Sequence, residues 1–406
     1  MADLSNVISK KKQTNGKSGL YYLAMIFSTL FLVRYVTLWE PYLEIAVVFK
    51  YLAFLLTSFL FVVSISQYPS NKRLLVICLL FLSVIIGFNS DRLEFMYLTV
   101  ALIVGAKNVN FDGIIKVHFF LSLFFCLFNI WGNHIGIIPD ATSKDLSDRM
   151  EFITDEAVFR ESFGYDWCTD FASHVFLIIL SYWIYRKGLF NFVELVLVLA
   201  IAAFVVIKTG TRMSPGLMVL LVFFSIYYRF RNPLKIPKFV WIALLISTPF
   251  FAFLSLYATI QYNYSDVRWF AANVLFSSRL SLGQDAIDEK GIPWLGQEYI
   301  MYGMGNSNGG LEYNYIDNTY IQYFVICGII ATVSFILCYL NICYRAYKQK
   351  NLLIMLAVFL SGLFGVITQF HFNIAFCPLL LATCANLGTY QKKNKKIQRK
   401  LIDGKS

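Results

Sequence analysis

The chain has 406 residues, of which 58% are hydrophobic and only 15% are charged, and its mean hydropathy is +0.62. Soluble domains carry about a quarter charged residues, so this composition excludes an ordinary soluble protein. The net charge is +11, but the basic residues lie in short clusters between apolar runs and in the C-terminal tail. This distribution is typical of topology signals and lipid contacts, and it argues against a nucleic-acid partner.

A polar stretch, residues 1–19, comes first and lacks the short apolar core and small-residue cleavage site of a signal peptide. We therefore expect a cytoplasmic tail followed by a membrane anchor. A spanning helix needs roughly 20 mostly apolar residues, and about twelve runs meet or approach this length. In chain order the predicted spans are Leu20–Val36, Leu43–Ile65, Leu74–Phe88, Phe95–Ala106, Ile114–Gly132, Phe171–Tyr185, Phe192–Ile207, Met213–Tyr228, Phe239–Ile260, Tyr320–Leu340, Leu352–Phe370 and Ala375–Tyr390.

The basic residues predict the orientation of these spans. With the N-terminus in the cytoplasm, most of the 35 Lys and Arg fall on the inner side, as the positive-inside rule requires. The same register puts two long acidic loops outside, at residues 134–170 and 261–318, and a basic tail, residues 391–406, inside. We predict one polytopic domain, residues 20–390, with both termini in the cytoplasm, in the cell (cytoplasmic or inner) membrane. Function should reside in the two external loops.

Candidate residues of the first loop and the next external turn are polar groups close to predicted span ends. Asp170 and His174 are one helical turn apart and would share a face, although an interfacial histidine whose hydrogen bonds are satisfied is the alternative. Arg160 precedes them in the same loop. Arg212 lies in a very short external turn beside Lys208, where few basic residues are expected. It is interpreted either as a snorkelling interface charge or as a phosphate-binding group.

The second long loop offers two arginines and a carboxylate. Arg268 and Arg279 are about three helical turns apart on a predicted amphipathic interfacial helix, so they would share one face. Paired guanidinium groups suit a phosphate or diphosphate, and contact with lipid headgroups is the alternative. Asp317 precedes the tenth span and is expected either to cap that helix or to act as a general base.

Several of these residues form motifs. The last motif consists of Asp317, Asn318, Tyr320 and Gly328. It resembles the C-terminal motif of bacterial O-antigen polymerases (Wzy) and the related O-antigen ligases (WaaL). Further segments are similar to upstream elements of these proteins, namely Ser278-Arg279-Leu280 with Pro293-Trp-Leu-Gly296, Thr209–Arg212, and Glu161–Tyr165 with Asp170. The Pro-Asn pair of the last element is absent here. Asp317 stands where ligases have His, which favours a polymerase.

The resemblance implies a GT-C-type membrane glycosyltransferase that polymerises oligosaccharide repeat units linked to undecaprenyl diphosphate into surface polysaccharide, such as O antigen, capsule or exopolysaccharide. Asp317 would serve as the base, and Arg279 and Arg212 would stabilise the leaving diphosphate. Residues expected to bind substrate are Arg160, Arg268, Asn318, Tyr320, Asp170 and His174. We expect no metal and no cofactor.

Expected partners are the lipid-linked oligosaccharide, membrane lipid, and the chain-length regulator and flippase of the same pathway. Two alternatives remain at this point. A ligase would share the fold and the donor but transfer the glycan to another acceptor. A flippase or transporter for lipid-linked oligosaccharide belongs to a different class, and it would usually show two related halves, which this sequence lacks.

Overall fold

The computed structural model of the protein describes residues 2–140, 160–230, 236–303 and 313–388, with side chains from residue 16 onward. Within these ranges the chain forms helices and no β-strand, apart from isolated bridges between Thr37 and Tyr165 and between Asn110 and Asn386. The predicted basic tail and most of the first long loop lie outside the described residues.

The first helices are α1 (Ala2–Leu32), α2 (Glu40–Ile65), α3 (Ser70–Asn89), α4 (Leu93–Gly105), α5 (Phe111–His134) and α6 (Cys168–Tyr185). They are followed by α7 (Phe192–Thr209), α8 (Met213–Phe230), α9 (Lys238–Leu245), α10 (Ser247–Ile260), α11 (Val267–Leu275), α12 (Arg279–Lys290), α13 (Thr319–Ile326), α14 (Gly328–Lys348) and α15 (Leu352–Gly365). Because α1 begins at Ala2, the stretch predicted as a cytoplasmic tail is largely helical and continuous with the first span.

Among the described residues, eight helices are long and apolar enough to cross a membrane, or nine if the bent pair α9–α10 forms one span. The structure therefore confirms an all-helical, multi-pass membrane protein, but not twelve long spanning helices. The α9–α10 pair bends by 55°. Helices α4 and α15 are apolar but have only 13 and 14 residues, short of the roughly 20 that a bilayer requires.

The predicted tenth span is broken at Gly328, which separates α13 from α14. Gly328 has φ +84°, and a Cβ atom there would lie 2.7 Å from both the Gly296 nitrogen and the Pro293 oxygen. The loop carrying Pro293 enters this break, since its carbonyl accepts a hydrogen bond of 2.9 Å from the Ile329 amide. The loop between α12 and α13 thus replaces the helix's own hydrogen bonds at the break, which hydropathy alone does not predict.

The predicted twelfth span, Ala375–Tyr390, is wrong as a helix. Its described residues form only a short 3-10 helix, Pro378–Thr383, inside an otherwise irregular and almost completely buried stretch. We call residues 366–388 the irregular segment. The apolar composition that suggested a span reflects burial inside the helix bundle, where the 3-10 helix packs against α4, α5 and α14.

The irregular segment runs through the bundle from one end to the other. At one end the Thr319 amide donates to the Thr368 carbonyl at 2.8 Å, next to Asp317. At the other end the Asn386 amide donates to the Val109 carbonyl at 2.7 Å. We refer to these as the Asp317 end and the Lys107 end of the bundle.

Side chains of the surrounding helices satisfy the backbone of the irregular segment. A ring nitrogen of His118 bonds the Ala375 carbonyl at 3.0 Å, and the Tyr339 hydroxyl donates to the His371 carbonyl at 2.9 Å. The Arg345 guanidinium donates to the carbonyl oxygens of Ala382, Thr383 and Ala385. Non-helical backbone at membrane depth is tolerated only with such protein partners, because lipid supplies none.

The close contact between Gly328 and the loop residues Pro293 and Gly296 gives a prediction about stability. We expect Gly328→Ala to lower the free energy of unfolding by about 3 kcal/mol, because the new methyl group meets loop backbone and also sits at positive φ. Gly136→Ala is the matched control, since Gly136 has φ +78° but open space around its Cβ position. It should cost only about 1 kcal/mol. Thermal unfolding of the detergent-solubilised variants measures both effects. Equal losses of stability in the two variants would contradict the close contact at Gly328.

Candidate functional site

An ion pair between the second long loop and the start of α13 organises the Asp317 end. The Arg279 guanidinium donates through Nε to the Asp317 carbonyl at 3.0 Å and through Nη2 to the Asp317 carboxylate at 3.3 Å. Its Nη1 donates to the Phe276 carbonyl at 3.0 Å. All three nitrogens are therefore engaged by protein groups, and only 13% of the side chain is exposed. Arg279 joins two distant segments of the chain.

The predicted continuous helix carrying Arg268 and Arg279 is wrong. Ser277 and Ser278 adopt left-handed backbone conformations, with φ 53° and 64°, and so separate α11 from α12. The Arg268 side chain is 91% exposed and pairs with Asp266 of its own turn at 3.0 Å. The two arginines therefore do not share a helix face, and Arg268 is not joined to Asp317 as Arg279 is.

The cap of α13 is Asn318 and not Asp317. The Asn318 side chain accepts hydrogen bonds from the amides of Tyr320 (3.0 Å) and Ile321 (3.3 Å). The Tyr320 ring is fully buried, and its hydroxyl donates to a carbonyl of α15 at 2.9 Å. Both residues thus fix the position of the helix start. The Asp317 carboxylate, a quarter exposed, is left to interact with Arg279 and with other side chains.

Asp170 brings a second carboxylate to the same place from the first turn of α6. It is only 7% exposed, and its charge interacts with those of Asp317 and Asp166. The Gln369 side chain, from the irregular segment, lies close to Asp170 and accepts a hydrogen bond from the Tyr315 hydroxyl at 2.6 Å. We call Asp166, Asp170 and Asp317 the carboxylate cluster. Two segments far apart in sequence supply these carboxylates, the residues around the start of α6 and the loop before α13, and the irregular segment adds Gln369 beside them.

Burial governs the chemistry of the groups around the carboxylate cluster. It raises the pKa of Asp166 above its usual range. It raises the pKa of the Tyr315 phenol well above its usual range, with the charges of Asp170 and Asp317 adding to the effect and Arg92 opposing it. Carboxylates that are crowded together away from water are stabilised by neighbouring groups that donate hydrogen bonds. A carboxylate in such a place is also suited to accept a proton.

Arg160 connects the first long loop to the turn after α7. Its Nη2 donates to the Gly210 carbonyl at 3.3 Å, while its buried Nε has no hydrogen-bond partner among the described residues. Next to it, Lys208 and Glu161 form an ion pair of 2.7 Å. The charge of Arg160 also acts on Cys168, which lies two residues before the buried aspartate of α6. The turn after α7 therefore lies against the loop residues that lead to α6.

Arg212 and His174 have different surroundings. Arg212 is exposed and lines an open groove of about 350 Å³ between α7 and α8, whose other walls are mainly apolar. His174 is almost fully buried, and its Nδ1 lies 2.7 Å from the Tyr165 hydroxyl. Its ring packs against Phe376 of the irregular segment, with the centroids 4.9 Å apart. This position favours packing over substrate contact for His174.

Three residues of the site were missed by sequence reasoning: Arg92, Tyr315 and Gln369. Arg92 lies in the turn between α3 and α4, on the predicted outer side, where the positive-inside rule expects few basic residues. The argument applied to Arg212 would have singled it out. Gln369 is a polar side chain inside a predicted span, which is itself a signal of function. No pattern in the sequence distinguishes Tyr315 from the other tyrosines of its loop.

Comparisons with protein-family models, curated proteins and solved structures found no match to this chain. Within the described ranges, no group of three or more His, Cys, Asp or Glu side chains is arranged to hold a metal ion.

The three hydrogen bonds of Arg279 predict a large structural effect of its removal. We expect Arg279→Gln to lower the free energy of unfolding by about 2 kcal/mol, because the Asp317 carboxylate and two carbonyls lose their donor. Arg268→Gln is the matched control and should leave the free energy of unfolding unchanged within measurement error, since its ion pair with Asp266 is exposed to solvent. Chemical denaturation in detergent distinguishes the two, and equal effects would contradict the assigned contacts.

The raised pKa of Asp166 predicts that the stability of the fold depends on pH. Because its pKa is raised in the folded protein, ionisation opposes folding, and the contribution of Asp166 to stability falls as pH rises above the ordinary value of 3.8. The melting temperature of Asp166→Asn minus that of the wild type should therefore be larger at pH 7.5 than at pH 4.5.

Asp266→Asn is the control of opposite sign. Hydrogen bonding to Arg268 lowers the pKa of Asp266, so this carboxyl stabilises the fold more as pH rises. The difference between the Asp266→Asn and wild-type melting temperatures should become more negative from pH 3 to pH 5. A pH-independent difference for Asp166→Asn would refute its raised pKa.

Proposed function

We propose that the protein is a membrane glycosyltransferase that polymerises oligosaccharide repeat units linked to undecaprenyl diphosphate. The proposal places this reaction at the outer face of the cytoplasmic membrane. The observation that carries it is the Arg279–Asp317 ion pair beside the buried Asp170 at one end of the helix bundle, with Arg160 in the loop that leads to Asp170. A reaction between two lipid-linked glycans requires this combination of a proton acceptor and cations at one bilayer surface.

The contacts between motif segments support an enzyme of the O-antigen polymerase type. Gly328 of the last motif packs directly on Pro293 and Gly296 of an upstream motif. Arg279 of another motif pairs with Asp317. The Thr209–Arg212 turn lies against Arg160 and its neighbour. Segments chosen by their sequence alone are thus mutual neighbours in the fold, which is expected if they build one site.

The proposed orientation puts the Asp317 end outside and the Lys107 end in the cytoplasm. Basic side chains at the Lys107 end support it, since Lys17 donates to the Lys107 carbonyl at 2.6 Å and Lys187 pairs with Asp112. The chain would then cross the bilayer about twelve times, with α4, α15 and the irregular segment as crossings enclosed largely by protein. This arrangement is of the GT-C kind, with both termini inside.

The proposed reaction is a displacement at the anomeric carbon of the donor glycan. A hydroxyl oxygen of the acceptor repeat unit forms a new bond to that carbon, and the bond from the carbon to the diphosphate oxygen breaks. The diphosphate leaves with the electron pair, and its negative charge is stabilised by arginine. The hydroxyl proton passes to a carboxylate, for which Asp317 is accessible and Asp170 lies beside it.

The proposed partners follow from this reaction. Both substrates carry a polyprenyl chain, so both reach the site from the surrounding lipid. The open groove beside Arg212, with its apolar walls, offers one lateral approach. A flippase must deliver the repeat units to the outer face, and a chain-length regulator of the same pathway would limit the product.

The carboxylates provide the test of this function. In cells whose only copy carries Asp317→Asn or Asp170→Asn, polymer should fall by about a hundredfold while single lipid-linked repeat units accumulate, because the proton acceptor is lost. Sizing of lipid-linked glycans by gel or mass spectrometry measures this. Asp285→Asn, an exposed position on α12, is the matched control and should leave polymer length unchanged.

The same measurement on a deletion strain separates the alternatives. Accumulated single repeat units support a polymerase. Full-length polymer stranded on the lipid carrier would identify a ligase, and repeat units confined to the inner leaflet would identify a flippase. Either of the last two results would overturn the proposed function.

A further inference from the structure

The helix α11 exposes an apolar face, unlike a helix surface that meets water. Four of its large side chains are exposed, with 80% of Val267 and 71% of Leu275 accessible, and the other two are Phe270 and Val274. Separations of three, seven and eight residues from Val267 place all of them on one side of the helix. We call these four residues the apolar face of α11. A cluster of exposed apolar side chains marks a surface that contacts lipid or another protein.

This face cannot turn inward, because the opposite side of α11 is bonded to the start of α12. Asn273 is buried there, and its side-chain oxygen accepts from the amides of Leu280 and Ser281, each at 3.1 Å. Its Nδ2 donates to the Ser281 hydroxyl at 3.1 Å and to the Tyr262 hydroxyl at 3.3 Å. Rotation of α11 would break these bonds and leave buried polar groups without partners. The fold therefore holds the apolar face outward.

The next helix, α12, exposes charged side chains instead. Its exposed residues include Asp285, Asp288, Glu289 and Lys290. Charged side chains of this kind belong in water. Because only residues 276–278 separate α11 from α12, one hairpin carries a helix suited to water beside a helix suited to an apolar phase. Such a pair is expected where a hairpin lies at the boundary between water and a membrane.

The preceding helix, α10, identifies the apolar phase as lipid. It is part of an apolar helix pair long enough to cross the membrane, and it exposes Phe253, Tyr257 and Ile260 at separations of four and three residues. Ile260 is the last residue of α10, and Val267 is the first residue of α11. The apolar face of α11 therefore continues the lipid-facing stripe of α10.

We propose that the apolar face of α11 binds the membrane leaflet at the Asp317 end, with α11 lying in the plane of the interface. The charged residues of this segment, Asp266 and Arg268, pair with each other, so the contact is with the apolar part of the leaflet and needs no anionic headgroup. Lipid contact would also steady the candidate site, since the Phe276 carbonyl at the end of α11 accepts from Arg279. This inference goes beyond the proposed function, because it depends on the fold and not on the reaction.

Spin labels on the full-length protein in phosphatidylcholine nanodiscs test this contact. Labels are attached to Val274→Cys and Leu275→Cys, with Glu289→Cys of α12 as the matched control. Each variant also carries Cys78→Ser, which removes an exposed native thiol, and the signal of the Cys78→Ser parent is subtracted. Electron paramagnetic resonance then compares collisions of each label with oxygen, which concentrates in lipid, and with a water-soluble nickel chelate. At the two α11 positions, collisions with oxygen should exceed those with nickel several-fold, and the order should reverse at position 289.

Each other outcome overturns the inference and identifies a different surrounding. Frequent collisions with nickel at both α11 positions would place the apolar face in water. Rare collisions with both reagents would show that protein covers it, from another segment or from a second copy. If the preference for oxygen appears only after anionic phosphatidylglycerol is added, attraction of a headgroup to Arg268 holds α11 in place of apolar contact. The labelled side chains are exposed, so each variant should melt at the temperature of its parent, which confirms that the fold is retained.

Discussion

Backbone polar groups enclosed in a membrane bundle must find partners in the protein, and the rest of this structure depends on that requirement at the irregular segment. Arg345 alone satisfies three carbonyls of this segment, and His118 and Tyr339 satisfy two more. These side chains come from α14 and α5, so those helices must surround the segment. A helical twelfth span would have needed none of these partners and would have left the centre of the bundle to apolar packing.

The same segment also builds the candidate site. Its first residues bond Thr319, which fixes the start of α13 beside Asp317. Its Gln369 then reaches Tyr315 and Asp170. A regular helix continuing α15 would point successive side chains around its axis and could not place an amide beside a carboxylate of α6 while its neighbours bond α13. The irregular backbone therefore helps to bring together Asp170, at the start of α6, and Asp317, before α13.

Much of this could be predicted from the sequence, and the failures have physical causes. Apolar runs predicted α2, α5, α7 and α8 well, because lipid-facing helices must be long and apolar. Hydropathy could not distinguish the buried irregular segment from a membrane span, because both consist mainly of apolar residues that are shielded from water. Asp317, Arg279 and Asp170 were predicted from the polar ends of the long loops and from the motifs, and the structure places Arg279 against Asp317 with Asp170 nearby. Of the two roles expected for Asp317, the capping role is wrong because Asn318 caps the helix one residue later. Gln369 was missed because it fell within a predicted span.

The position of the irregular segment at the centre of the bundle has a consequence for biosynthesis. It is made after every helix that it contacts, so α4, α5 and α14 leave the ribosome before the element that fills the space between them. Until it arrives, Arg345 and His118 face an unfilled interior, and the early helices must remain loosely associated in the bilayer. Assembly is therefore completed last at the centre of the bundle, by a late part of the chain, and loss of that part would leave the space between α4, α5 and α14 unfilled.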